Sequence, residues 1–205
     1  MTQKWLNKNN NSDLIVFFNG WGMDENALKH LNYGNYDIYE IDDYRKIEKI
    51  EEDFTAYNKK YLICWSMGVM VSSLFYEQFK DFNKKIALSG TSKMIDDNYG
   101  IACKIYDFTI KHLKPDDFIK LMNPDNTNFC FSRTKEELIE ELIAIKNLKI
   151  ESEIKFNKAI IPLKDRIVPP KNQLNFWQEQ NVELEKLNCA HYIFDCYSSW
   201  QEIIC

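Results

Sequence analysis

Ser66 closes an apolar run, Tyr61-Leu62-Ile63-Cys64-Trp65, and precedes Met67-Gly68, so a small residue stands two positions to either side of it. That spacing describes a nucleophile elbow. A serine on a tight strand-to-helix turn is driven toward positive φ, and bulky neighbours would collide as the chain doubles back. Gly68 meets the requirement fully, whereas Cys64 replaces the first glycine of G-x-S-x-G with a residue that keeps a Cβ. The alternative is an ordinary buried serine in a strand-helix connection.

A serine hydroxyl is a poor nucleophile at neutral pH and needs a base, usually a histidine held by a carboxylate. The chain has three histidines. His30 falls on a short helix, where a structural role is expected. His112 shares a helical face with Ile101, Ile105 and Phe108 and is expected to be packed. His191 follows the last predicted strand in a loop and is the base candidate. The order serine, acid, histidine then asks for a carboxylate at the end of a strand between them. Asp165 fits, in the loop Leu163-Lys164-Asp165-Arg166 after Ala159-Ile160-Ile161-Pro162. Asp195 competes but follows the histidine. A developing oxyanion needs two N–H donors, one from Met67 after the nucleophile and one from Trp21 in the early loop Asn19-Gly20-Trp21-Gly22. The alternative there is a glycine turn carrying a core tryptophan.

The surrounding periodicity supplies elements to hold these groups. Residues 14–19 read as a buried strand, 24–31 as a short helix, 36–41 as a strand, 45–54 as a weak helix and 61–65 as the strand before the elbow. A helix over 69–80, with Val71, Leu74, Phe75 and Phe79 on one face, and a strand over 85–89 follow. Alternating strands and helices imply a parallel sheet. From 92 to 155 the pattern turns to amphipathic helices: one with Ile101, Ile105 and Phe108, one opened by Pro115-Asp116-Asp117, and one opened by the capping box Thr134-x-x-Glu137. Strands at 158–162 and 182–187, a helix at 172–178 and a closing helix at 193–204 complete the chain. The reading is an α/β core at 1–91 and 156–205 with a helical insertion at 92–155; about 140 residues leave a core little room for full-length flanking helices.

With 26 Lys+Arg against 31 Asp+Glu the net charge is −5, so no whole-molecule field draws the chain to nucleic acid or an anionic membrane. The polar start has no apolar stretch of signal-peptide length, and a soluble cytoplasmic protein is expected. Six cysteines without a C-x-x-C pair suggest free thiols. Cys189, His191 and Cys196 match no common zinc spacing, so no metal is expected.

Phe17-Phe18-Asn19-Gly20-Trp21-Gly22-Met23-Asp24, together with Cys64-Trp65-Ser66-Met67-Gly68, Asp165 and Cys189-Ala190-His191, resembles the BioG type of pimeloyl-ACP methyl esterase over nearly the whole chain. The resemblance implies an α/β-hydrolase fold, a mainly parallel sheet with a helical lid, that hydrolyses pimeloyl-ACP methyl ester to pimeloyl-ACP and methanol in biotin synthesis without a cofactor. It makes Ser66 the nucleophile, His191 the base, Asp165 its orienter, and Trp21 and Met67 the oxyanion donors. A seven-carbon acyl chain needs an apolar slot, for which Trp21, Trp65, Phe108, Phe118 and Met122 are candidates.

An acyl carrier protein is acidic. The insertion carries 10 Lys+Arg against 12 Asp+Glu, so only local cations can meet such a partner: Lys104, Lys111, Lys114 and Arg133 are the candidates. Ordinary solvation is the alternative, since Asp107 can pair with Lys104 or Lys111 on a helix. Two other functions stay open on the sequence: a serine esterase or thioesterase on another short acyl substrate, and a catalytically silent hydrolase fold used for binding.

Overall fold

In the computed structural model, which describes residues 1–124 and 130–205, strands β1 (Thr2–Asn7), β2 (Asp13–Phe18), β3 (Tyr36–Asp42), β4 (Lys59–Trp65), β5 (Lys84–Leu88), β6 (Lys158–Pro162) and β7 (Glu183–Leu187) form one sheet in the order β1-β3-β2-β4-β5-β6-β7. All neighbours pair in parallel except β1, which runs antiparallel to β3. The unbroken apolar run of β2 follows from covering both faces of the sheet. Leu14, Val16 and Phe18 enter one core with Leu62, Cys64 and Ala87, while Ile15 and Phe17 enter the other with Ile63, Trp65 and Ile86.

Helices are short on the core strands and longer between β5 and β6. α1 (Met67–Val71) leaves the elbow, passes through a 3-10 turn (Ser72–Phe75) and resumes as α2 (Tyr76–Phe79). The single helix expected over 69–80 is thus broken, Phe75 having left helical geometry at φ −109° and ψ 29°. Between β5 and β6 lie α3 (Cys103–His112), α4 (Pro115–Met122) and α5 (Lys135–Lys146), with no strand among the described residues of that segment. Pro115 opens α4, and the Thr134/Glu137 capping box of α5 is formed in both directions. α6 (Pro170–Gln178) joins β6 to β7, and α7 (Trp200–Ile204) ends the chain.

One element goes beyond the expected set, and two expected helices fail for reasons visible in the hydrogen bonding. The polar start forms β1, whose Trp5 packs edge-on to Tyr39 and whose Lys4 lies 3.4 Å from Glu40 and 3.5 Å from Asp42; pairing with β3, not apolar content, makes it a strand. Residues 45–54 form no helix. Their carbonyls are claimed from outside: Lys46 O by the N-terminal ammonium at 2.6 Å and Lys49 O by Gln3 Nε2 at 3.0 Å. The closing helix is divided, because Asn32 N donates to Ser198 O at 2.9 Å and Trp200 N donates to Asn32 O at 3.2 Å, drawing the chain into a bridge between a 3-10 turn (Phe194–Cys196) and α7. Among the described residues no helix is long and apolar enough to cross a membrane.

Candidate active site

Parallel strands end on one edge of the sheet, and the loops that leave that edge carry Trp21 after β2, Ser66 after β4, Asp165 after β6 and His191 after β7. Ser66 has φ 53° and ψ −122°, a conformation that costs a non-glycine residue about 1–3 kcal/mol and persists only where the surroundings hold it. Here Ser66 N donates to Leu88 O at 2.8 Å and Ser66 O accepts from Val69 N at 3.0 Å. A Cβ on Gly68 would come 2.4 Å from Phe18 O, so the +2 position admits only glycine without rearrangement. Cys64 fits the −2 position because its side chain points into the core and is fully buried, which pushes its thiol pKa upward.

His191 is buried, with Nε2 2.9 Å from Ser66 Oγ and Nδ1 2.8 Å from Asp165 Oδ2. Asp165 Oδ1 accepts from the N–H groups of Ile167 and Val168 at 2.8 and 2.9 Å, and Gln173 Nε2 donates to Oδ2 at 2.9 Å. Asp195 Oδ2 accepts from Asn123 Nδ2 at 2.8 Å. A serine, imidazole and carboxylate in this sequence of contacts can move the hydroxyl proton to Nε2 as the oxygen attacks a carbonyl.

A narrow cleft beside Ser66, with a cavity volume of about 30 Å³, is lined by Trp21, Trp65, Met67, Phe118, Met122 and His191, among others. Its polar lining atoms are mostly spent on backbone carbonyls: Trp21 Nε1 on Leu138 O, Trp65 Nε1 on His191 O, Tyr106 OH on Leu142 O and Thr109 Oγ1 on Ile105 O. What remains is an apolar wall around Ser66 and His191.

Phe108 does not belong to it. It is 60% exposed on the outer side of α3 and tilted against His112 with ring centroids 4.5 Å apart; His112 is itself exposed, not packed as expected, and Ile105 is 58% exposed. α3 is rotated relative to the expected face because Tyr106, not Ile105 or Phe108, is the residue that α5 buries. Arg133 is also corrected as a surface cation: its side chain is 13% exposed, 2.9 Å from Asp43 Oδ1 and 3.0 Å from Glu141 Oε2. Lys104, Lys111 and Lys114 are exposed, and Lys114 lies 4.0 Å from Asp117. Asp107 pairs with Lys146 of α5, not with Lys104 or Lys111. His30 is a structural residue as expected, its Nε2 3.0 Å from Phe194 O.

Two contributors escape a reading by residue type. Gln173 is fully buried in phase with Phe176 and Trp177, and Glu141 is fully buried in phase with Leu138 and Ile145. A polar residue at an apolar phase of a helix was the signal available for both.

This sheet, with its serine on a strained turn after a central strand and a histidine and an aspartate from the following loops, defines an α/β-hydrolase. The structure aligns with BioG from Haemophilus influenzae at a TM-score of 0.87, with 26% identity over 99% of each chain. A lipase-esterase related protein from Clostridium acetobutylicum aligns at 0.66, with 15% identity over 94% of this chain and 92% of that one, a likeness of fold. The profile of the family "Pimeloyl-ACP methyl esterase BioG" matches residues 1–203, and the chain belongs to that esterase family. A Bacteroides fragilis protein named Malonyl-[acyl-carrier protein] O-methyltransferase is 34% identical over 193 residues, which are 88% of this chain and 39% of that protein. The chain therefore spans well under half of that relative's length.

Proposed function

We propose that the protein is a serine carboxylesterase that hydrolyses the methyl ester of pimeloyl-ACP. The observation that carries the reading is the continuous contact from Ser66 Oγ through His191 to Asp165, opening on an apolar cleft in a member of this family. The carboxylate beside Nδ1 favours the tautomer with its hydrogen there, which leaves the Nε2 lone pair for the Ser66 proton. Ser66 Oγ attacks the ester carbon, and the N–H groups of Trp21 and Met67 receive the charge on the carbonyl oxygen. Collapse returns the proton from His191 to the leaving methoxide and releases methanol. His191 then deprotonates a water that attacks the acyl-enzyme, and Ser66 leaves with that proton.

The lining supports an ester of an aliphatic acid. Trp21, Trp65, Phe118 and Met122 offer apolar contact, and no Lys or Arg lines the cleft among the described residues to retain the carboxylate product. The Bacteroides relative adds a chemical link: its name describes methyl transfer to an acyl group on a carrier, the reaction that makes such an ester, in a chain that also contains a stretch similar to this one. In this reading the segment between β5 and β6 is the lid, the acidic carrier meets Lys104, Lys111 and Lys114, and the setting is cytoplasmic.

The test is rescue of a biotin-requiring strain that lacks its own esterase, paired with fluorophosphonate labelling. The wild type restores growth and is labelled at Ser66; Ser66→Ala does neither while keeping its fold. Growth with Ser66→Ala would overturn the mechanism, and failure of a folded, labelled wild type to rescue would overturn the substrate.

A further inference from the structure

Glu141 stands on the inward side of α5 with its side chain at 0% exposure. Its Oε2 accepts from Gly22 N at 3.0 Å and its Oε1 from Tyr44 N at 2.8 Å. One turn earlier on the same helix, Leu138 O accepts from Trp21 Nε1 at 2.9 Å. Two consecutive residues of the loop after β2 are thus gripped by α5, one through its side chain and one through its backbone. The fit is close, since Gly22 has φ +76° and a Cβ there would come 2.4 Å from Phe131 and 2.8 Å from Leu138. From the other side, Asn19 is held by Glu40 at 2.6 Å and by the Tyr44 hydroxyl at 2.6 Å.

A buried carboxylate is an expensive way to pack a helix, because an apolar side chain of similar volume fills the same space without desolvating a charge. Arg133 offsets the charge, yet burial, with the like-charged Asp43 close by, pushes the Glu141 carboxyl up to about 7. Direction is what the carboxylate adds and a leucine cannot.

We propose that Glu141 is a positioning residue for the oxyanion hole: by holding the Gly22 and Tyr44 N–H groups while Leu138 O holds the Trp21 ring, α5 fixes the backbone at Trp21 and aims its N–H at the reacting carbonyl oxygen. The proposal rests on the reading of Trp21 N–H as an oxyanion donor. It makes α5 part of the catalytic apparatus as well as a wall of the cleft, so acyl transfer depends on how this helix is seated.

Glu141→Gln keeps one acceptor oxygen but presents an NH₂ group to one of the two N–H donors. Loss of an oxyanion donor lowers turnover about 10²- to 10³-fold, and a misaimed donor is expected to cost roughly 10- to 100-fold in kcat. For dimethyl pimelate, KM should stay within about twofold while the rate constant for fluorophosphonate labelling of Ser66 falls in parallel with kcat. A structural role alone would lower the fraction of molecules labelled and leave the rate constant of the folded fraction unchanged, and that result overturns the proposal. If Glu141→Gln does not fold, Trp21→Phe decides, since it deletes the Leu138 contact and keeps an aromatic side chain: slower labelling supports the clamp and an unchanged rate constant overturns it. A wild type that is not labelled at Ser66 would overturn the serine-esterase reading and the clamp with it, whereas a labelled wild type with equally fast variants overturns the clamp alone.

Discussion

Asp165 and His191 meet through Oδ2 and Nδ1 at 2.8 Å, and the same Asp165 oxygen also receives Gln173 Nε2 at 2.9 Å. The carboxylate is thereby fixed in orientation before the imidazole reaches it, with Ile167 and Val168 holding its other oxygen. Asp165→Asn keeps the shape but permits the wrong histidine tautomer, a change that lowers turnover about 10⁴-fold in a serine protease. Steady-state kinetics should show a loss of that order in kcat with KM little changed. Asp195→Asn, at a residue engaged with Asn123, should stay near wild type; the reverse ranking would show that the acid is misassigned.

Phe118 and Phe108 test the position of the acyl slot. Phe118 borders the cleft and lies edge-on to Trp21 at 4.9 Å, whereas Phe108 faces outward. Phe118→Ala should raise KM for a soluble pimelate ester several-fold, the loss of an aromatic contact being worth on the order of 1 kcal/mol. Phe108→Ala should leave the same constant unchanged, and equal effects would place the chain elsewhere.

Charge reversal at Lys104 and Lys111 should slow hydrolysis of the carrier-linked ester far more than that of a soluble one. Exposed charges are screened over roughly 8 to 10 Å at physiological ionic strength, so added salt should narrow the gap between variant and wild type. Equal losses on both substrates would indicate a damaged helix. Arg133→Glu serves as a contrast: that guanidinium is committed to Asp43 and Glu141, and its reversal should impair both substrates alike.

Stability should fall as pH rises from about 5 to 8. Burial, with Asp42 close by, pushes the Glu40 carboxyl up to about 8 from 4.5, against the opposing pull of Lys4 and Asn19. The folded state then holds a proton that the unfolded chain releases near 4.5, so the contribution is complete below that pH and lost as pH passes through about 8. One such proton gives a slope of about 1.4 kcal/mol per pH unit at most. Asp42 at about 6 and Glu141 at about 7 act in the same direction. Urea midpoints measured across this range should show a shallower slope for Glu40→Gln, which keeps an acceptor for Asn19; identical slopes would remove Glu40 as a cause.

The elbow, the loop after β2, Asp165 and His191 were legible from local sequence because each depends on short-range constraints. A turn beside Ser66 needs Gly68 within two residues; Asp165 follows the apolar run of β6, and His191 follows β7, whose Leu184 and Leu187 stand among charged residues. β1 was not legible, because a polar edge strand takes its conformation from the partner it pairs with. The outward face of α3 was hidden for a related reason: Ile105, Tyr106 and Phe108 are all apolar enough to be core, and only the approach of Leu142 O decides that Tyr106 is the one buried. Arg133 reads as a cation for an acidic carrier and Glu141 as a residue without a role, yet tertiary structure brings them together against Asp43, Tyr44 and Gly22, residues more than 80 positions away in the chain. Sequence picked out Ser66, Asp165 and His191 and the strands that carry them; the setting of the loop after β2 was decided only in three dimensions, because its hydrogen-bond partners come from a helix that nothing in the local sequence brings to it.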